Sequence, residues 1–354
     1  MNIRIGNTPV GPGCPTYFIA DIAANHDGDI DRAISLIRLA AKAGANAAKF
    51  QNFSAETIVS DKGFRELGEQ IGHQSKWTKS VFEVYQSASI PLDWTPKLQL
   101  ACDEQGIDYF SAAYDFEALN FLDGFVPAYK IGSGDITWHE IVEATALKGK
   151  PVLLATGAST FSEVDDAVKM ILKHNSELVL MQCNTNYTGA KENIRFQNLR
   201  VLEAFAAAFP NVVLGLSDHT SGHVAVLGAV SLGARVIEKH FTDDSSRPGP
   251  DHAFSMNPQE WRAMVDETRD LEAALGTGVK ILEENEVESV VVQRRAVRTT
   301  KFLKKGVVIA REDLSVLRPA PSGSIMASEV GELVGKVVSR DLEESQLVAP
   351  EDFL

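Results

Sequence analysis

The chain has 354 residues, with 34 Lys and Arg against 48 Asp and Glu, a formal charge of −14. That acidic balance argues against a nucleic-acid binder, whose phosphates need clustered basic surface, and 44% hydrophobic residues argue against disorder. The longest apolar stretch, 224–234, is interrupted by Ser231 and falls short of a membrane span.

A short hairpin is expected first, over residues 1–15, with its turn at Gly11-Pro12-Gly13, plugging the N-terminal mouth of a barrel. From 16 onward, β-branched runs alternate with amphipathic stretches, the pattern of parallel βαβ units. Strands are predicted at 17–22, 46–50, 108–112, 128–131, 151–155, 178–183, 212–216 and 235–240. Helical spacing fills the gaps, for example Ala33, Ile34, Leu36, Ile37, Ala40 and Ala41. Eight such units predict a closed (β/α)8 TIM barrel over 16–276. A doubly wound sheet would call for a Gly-rich phosphate loop after the first strand, where the chain instead has Asp21-Ile-Ala-Ala-Asn25-His26. After a helix over 258–275, an acidic linker (277–290) leads to a small β-rich module (291–354). No long repeat is apparent. With no apolar leader and only Cys14, Cys102 and Cys183, a cytoplasmic protein without disulfides is expected.

Barrel chemistry sits at the C-terminal ends of the strands. The polar residues there are Asp21, Asn25 and His26; Lys49 and Gln51; Ser111; Lys130, Ser133 and Asp135; Thr156; Asn184, Thr185 and Tyr187; Ser217, Asp218 and His219; and Lys239 and His240. Two lysines aimed into one mouth imply an anion between them, a phosphate or carboxylate, unless each reaches solvent or an internal carboxylate. His219 and His240 end neighbouring strands and suit a divalent metal, or are hydrogen-bonded core residues. His26, His223 and His252 lie on loops of the same face, where one could act as a base. His73, His139 and His174 are read as ordinary surface histidines, and Cys183 as inert core.

Six ordered motifs, Phe18-Ile-Ala-Asp-Ile-Ala-Ala-Asn-His26, Ala48-Lys-Phe-Gln51, Lys130-Ile-Gly-Ser-Gly-Asp135, Gly215-Leu-Ser-Asp-His-Thr220, Glu238-Lys-His-Phe-Thr242 and Arg247-Pro-Gly-Pro-Asp251, resemble the sialic acid synthase family. Lys304-Lys-Gly306 and Asp313-Leu-Ser-Val-Leu-Arg-Pro319 resemble its C-terminal antifreeze-like (SAF) domain. The resemblance implies an enzyme that condenses phosphoenolpyruvate with an N-acylated hexosamine to a nine-carbon 2-keto sugar acid, releasing phosphate. It implies that His219 and His240 hold a divalent metal, manganese first, magnesium or cobalt otherwise. It further implies that Lys49, Lys130, Ser133 and Ser217 hold phosphoenolpyruvate, that Gln51, Tyr187 and Asp251 face the sugar, and that Arg318 reaches the other subunit's site in a domain-swapped homodimer.

The chain departs from the family pattern at several of these positions. Asp21 stands where Glu is usual and is one candidate base, a metal-bound water being the other, and Asp135 also replaces Glu. Ser111-Ala112-Ala113-Tyr114 replaces Ser-Thr-Pro-Phe, and Gln182-Cys183-Asn184-Thr185 replaces His-Cys-Thr-Asn, with Thr185 kept as a substrate contact. Two other readings stand beside the synthase: a metal-independent Schiff-base aldolase using Lys49, Lys130 or Lys239, and a sugar-acid-binding homologue without turnover.

Overall fold

The computed structural model describes residues 1–70 and 72–354. The chain divides into two units, Met1–Gly276 and Thr277–Leu354.

In the first unit, β1 (Ile3–Ile5) and β2 (Thr8–Val10) pair antiparallel. Their turn is Gly6-Asn7, where Gly6 takes φ +54°, and not Gly11-Pro12-Gly13, which comes after β2. A left-handed first turn residue matches the strand twist, and the three-residue strands leave no other place for it. Eight parallel strands come next: β3 (Tyr17–Asp21), β4 (Ala47–Asn52), β5 (Asp108–Ala113), β6 (Tyr129–Ile131), β7 (Val152–Ala155), β8 (Leu178–Cys183), β9 (Val213–Asp218) and β10 (Val236–His240). β10 pairs with β3 and closes the barrel.

Alternation along the strands sorts the side chains. Tyr17, Ile19, Ala47, Phe110, Ala128, Leu153, Val179, Met181, Val213 and Val236 fill the lower interior with Ile3, Ile5 and Val10 of the hairpin, which therefore plugs the N-terminal mouth. At Gly215 a Cβ would lie 2.9 Å from Met181 Cγ, so glycine leaves room for that side chain. The opposite pleat packs on the outer helices in a second, larger core that includes Phe18, Phe50, Leu154, Leu216 and Trp261. Those helices begin on local signals: Asp29 caps Ile30–Lys42, and Thr160 with Glu163 forms a capping box for Phe161–His174. No helix among the described residues is long and apolar enough to cross a membrane.

The second unit contains a helix, Val287–Gln293, and an antiparallel pair, β11 (Ala296–Thr299) and β12 (Leu314–Leu317). It also contains a repeat, where none is apparent from the sequence alone. Leu303, Gly306, Ile309, Ala310, Asp313 and Leu314 recur as Leu342, Ser345, Val348, Ala349, Asp352 and Phe353. The amides of Leu303 and Leu342 each donate to the other's carbonyl at 2.8 Å. Gly306 and Ser345 both take positive φ, at +87° and +60°. Asp313 and Asp352 each accept from the amide of the equivalent alanine at 2.9 Å, and each meets a cation, Lys301 or Arg340. The two halves are thus related by an approximate twofold axis through the Leu303–Leu342 pair.

Candidate active site

Inward pleat positions that are apolar at the bottom of the barrel become polar at its C-terminal end. The register sets His240 beside Asp21 and Asp21 beside Lys49 on three successive strands, and Glu238 beside Ser217. A cavity of about 380 Å³ opens there. Of the thirteen residues expected at the site, eleven line it: Asp21, Lys49, Gln51, Lys130, Ser133, Asp135, Tyr187, Ser217, His219, His240 and Asp251. Thr185 instead lines an adjoining pocket that shares His73 and Tyr187 with the first. Arg318 belongs to the second unit, where its Nε donates to the Gln293 carbonyl at 2.7 Å.

Lys49 and Lys130 are both buried. Lys49 Nζ donates to Asp21 Oδ2 at 2.7 Å and lies 3.9 Å from Glu238 Oε1, which is 3.6 Å from Lys130 Nζ. The anion between the lysines is therefore in part the protein's own. Glu238 is a site residue that the strand-end reading omits, although it is two residues before His240 and so on the same pleat. Burial works against the Lys49 charge, but Asp21 and Glu238 outweigh it and hold the ammonium above the usual lysine range. A Schiff-base nucleophile needs the opposite shift. Lys239, on the outward pleat, donates to Asp218 at 2.6 Å and to the Thr220 carbonyl at 2.7 Å, and is not part of the cavity.

In the same cavity, the rings of His219 and His240 lie 5.4 Å apart, and His240 Nε2 is 3.6 Å from Asp21 Oδ2, the oxygen that Lys49 holds. Nδ1 of His219 donates to the Asn184 carbonyl at 2.9 Å, which leaves Nε2 as the free ligating nitrogen. Burial, first of all, holds the His240 pKa well below the usual range, so this imidazole is neutral as a metal ligand must be, whereas Cys183 and the Asn184 carbonyl raise that of His219 against its burial. His240 Nδ1, Asp21 Oδ1 and Glu238 Oε2 are buried without hydrogen-bond partners. Among the described residues no three or more His, Cys, Asp or Glu side chains converge as a closed metal cluster. The donor set fits an open site with two imidazole ligands.

Ser133 Oγ accepts from the Gly157 amide at 2.9 Å, and a Cβ on Gly157 would lie 2.9 Å from that oxygen and 2.5 Å from Thr185 Cγ2, so this loop approaches the cavity as bare backbone. Cys183 is not isolated core: it lines the cavity with Sγ 3.9 Å from His219 Nδ1. Burial pushes Asp135 and Asp251 each up to about 6, against the opposing charge of Lys130 for the first and the Ala24 amide for the second.

The remaining wall is aromatic and comes mostly from the excursion between β4 and β5. His73, expected at the surface, packs 5.1 Å from Tyr187 and 5.3 Å from Trp77, while Phe53 meets Tyr85 and Tyr114. Of the other polar residues collected from the strand ends, Ser111 donates to Asn52 and Thr156 to the Met181 carbonyl, both outside the cavity. None of the three loop histidines lines it either. His26 is buried against Trp94 with its pKa lowered to about 4 by that burial, His223 pairs with Glu267, and His252 is bound between Thr242 and Asp27.

The sequence model described as the NeuB family matches residues 36–280, and that of the SAF domain matches 294–354. The chain is 33% identical over 343 residues to the N,N'-diacetyllegionaminic acid synthase of Legionella pneumophila, covering 95% of this chain and 94% of that one. It is 31% identical over 343 residues to the human N-acetylneuraminate-9-phosphate synthase, covering 97% and 94%. The crystal structure of N-acetylneuraminic acid synthetase from Leptospira borgpetersenii, in complex with citrate, superposes with a TM-score of 0.71 at 30% identity, over 82% of this chain and 95% of that one.

Proposed function

The chain belongs to the NeuB family, and from that premise we propose that it is a phosphoenolpyruvate-dependent nonulosonic acid synthase, joining C3 of phosphoenolpyruvate to the aldehyde carbon of an open-chain N-acylated hexosamine. The observation that carries this reading is one cavity lined both by buried Lys49 and Lys130 and by the imidazoles of His219 and His240. Such a cavity suits two reactants of different character, an anion and a neutral carbonyl compound.

In this reading Lys49 and Lys130 hold the carboxylate and phosphate of phosphoenolpyruvate, with the Ser133 and Ser217 hydroxyls beside them. Gln51, Asp135, Tyr187 and Asp251 hold the sugar, with Thr185 at its outer end. Fixing both reactants in one desolvated cavity turns an encounter into an intramolecular event. His219 and His240 would hold a divalent cation, manganese being the first choice, and when bound it supplies Lewis-acid polarisation of the aldehyde oxygen. Asp21, with Oδ2 engaged by Lys49 and Oδ1 unpartnered, serves as the base for the water that adds at C2. Departure of phosphate by C–O cleavage then leaves the 2-keto acid. Asp21 and Asp135 are each one methylene shorter than glutamate, which opens space for an acceptor bulkier than N-acetylmannosamine. The active assembly in this proposal is a domain-swapped homodimer in which Arg318 serves the sugar in the other subunit's site.

The raised pKa of Lys49 and the placement of Lys239 disfavour these two lysines as Schiff-base nucleophiles. The test is phosphate release from phosphoenolpyruvate with manganese, across N-acetylmannosamine and a panel of diacetamido hexoses. Release that depends on acceptor and is abolished by chelation supports the synthase. Binding of phosphoenolpyruvate without release for any acceptor identifies a non-catalytic binding protein.

A further inference from the structure

Asp251 enters the cavity from the loop after β10, and its neighbour His252 points away from the cavity and is fully buried. Nδ1 of His252 lies 2.8 Å from Thr242 Oγ1, and Nε2 lies 3.0 Å from Asp27 Oδ1. A carboxylate only accepts, so Nε2 carries the proton it donates to Asp27. Hydroxyl, imidazole and carboxylate thus stand in the order of a hydrolytic triad. Thr242 is fully buried and none of the three lines the cavity, so no substrate can reach the hydroxyl.

The same residues tie two loops together. Asp27 lies in the loop after β3 at φ +53°, a conformation that carries a cost for a side-chain-bearing residue. Its Oδ2 accepts from Arg247 Nη2 at 2.7 Å, so one carboxylate grips the β10 loop on both sides of the Pro-Gly-Pro turn. Four residues from Asp251, Ser255 Oγ donates to the Asp251 carbonyl at 2.6 Å and accepts from Asn25 Nδ2 at 2.8 Å. The Ala24 amide, on the same β3 loop as Asp27, donates to Asp251 Oδ2 at 3.1 Å. Gly249 completes the packing, since a Cβ there would lie 2.5 Å from His252 Cδ2.

We infer that Asp27, His252 and Thr242 are positioning residues that latch the β10 loop to the β3 loop and so set Asp251 in the cavity, controlling affinity for the acceptor sugar without touching it. The inference rests on the proposed placement of Asp251 against the acceptor. In the proposed placement phosphoenolpyruvate is held by Lys49 and Lys130, neither of which the latch contacts.

The test compares His252→Ala and Gly249→Ala with the parent protein in full-length form. Hydrogen exchange of the segment containing the Ala24 amide should speed up about tenfold in both, as for loss of one hydrogen bond to a charged group, while the β10 amides stay protected. KM for the best acceptor of the panel should rise about tenfold, with kcat and KM for phosphoenolpyruvate unchanged. His252→Gln, whose amide can still donate to Asp27, should recover most of the acceptor affinity. Gly249→Ala removes no polar group and carries the test alone if His252→Ala fails to fold. Unchanged exchange at Ala24 overturns the latch, as does a parallel rise of both KM values. If the parent protein turns over no acceptor, the synthase reading falls, and the exchange measurement alone upholds or overturns the latch.

Discussion

Lys49 and Asp21, paired in register on adjacent strands, form a buried ion pair with Nζ and Oδ2 2.7 Å apart. Removing one partner strands the other charge in a medium that solvates it poorly. Asp21→Asn should therefore lower unfolding free energy by about 3 kcal/mol, the smaller end of the range for a broken buried pair, because Glu238 still lies 3.9 Å from Lys49. Urea unfolding measures this, and a midpoint equal to that of the parent would refute it.

Asp251 should make stability depend on pH in a definite direction. Its folded-state pKa of about 6 lies above the ordinary value of 3.8, so the native state binds this proton more tightly than the unfolded chain does. The favourable contribution is present below the ordinary value and is lost as pH rises through about 6. Asp251→Asn should thus match the parent in melting temperature near about pH 4 and exceed it at neutral pH. A constant difference across that range would show that the carboxyl is not strained by burial.

Metal content is the direct measure of the imidazole pair. His219→Ala and His240→Ala should each lose most bound manganese after dialysis, while circular dichroism reports an intact barrel, because each removes one of only two protein ligands in the proposed site. Retention of the metal by either purified variant would assign it elsewhere.

The sharing of sites between subunits is open to complementation. A chain with Arg318→Ala and a chain with His219→Ala are each expected to be inactive. Mixed and reassociated, they should regain about a quarter of the activity of the parent, since in the sharing arrangement half of the dimers are mixed and each mixed dimer has one intact site. Mixed dimers without activity would place Arg318 in its own subunit's site.

Strand ends are legible in the sequence because parallel barrel strands read as continuous apolar runs that turn polar at one end. Pleat direction is less so: Lys239 reads as a mouth residue, yet period-two alternation from His240 sends it outward and brings Glu238 in. Counting by two from His240 finds Glu238. The aromatic wall is hidden for a different reason. His73, Trp77 and Tyr85 lie in the long excursion between β4 and β5, where nothing periodic ties a side chain to the barrel axis. The internal repeat of the second unit is hard to see because its halves share spacing more than identity, Gly306 answering to Ser345 and Leu314 to Phe353.

That repeat has a consequence for how the second unit comes apart. Leu303 and Leu342 exchange their backbone bonds only with each other, and the small core of Leu303, Ile309 and Leu314 is completed by Leu342 and Val348. Neither half encloses a core or satisfies its central amides by itself, so the unit behaves as two interlocked hands: releasing one opens the other. Truncation before Leu342 should melt the segment around Leu303 as well, and unfolding of these seventy-eight residues, from Thr277 to Leu354, should be a single cooperative event without a half-folded stage.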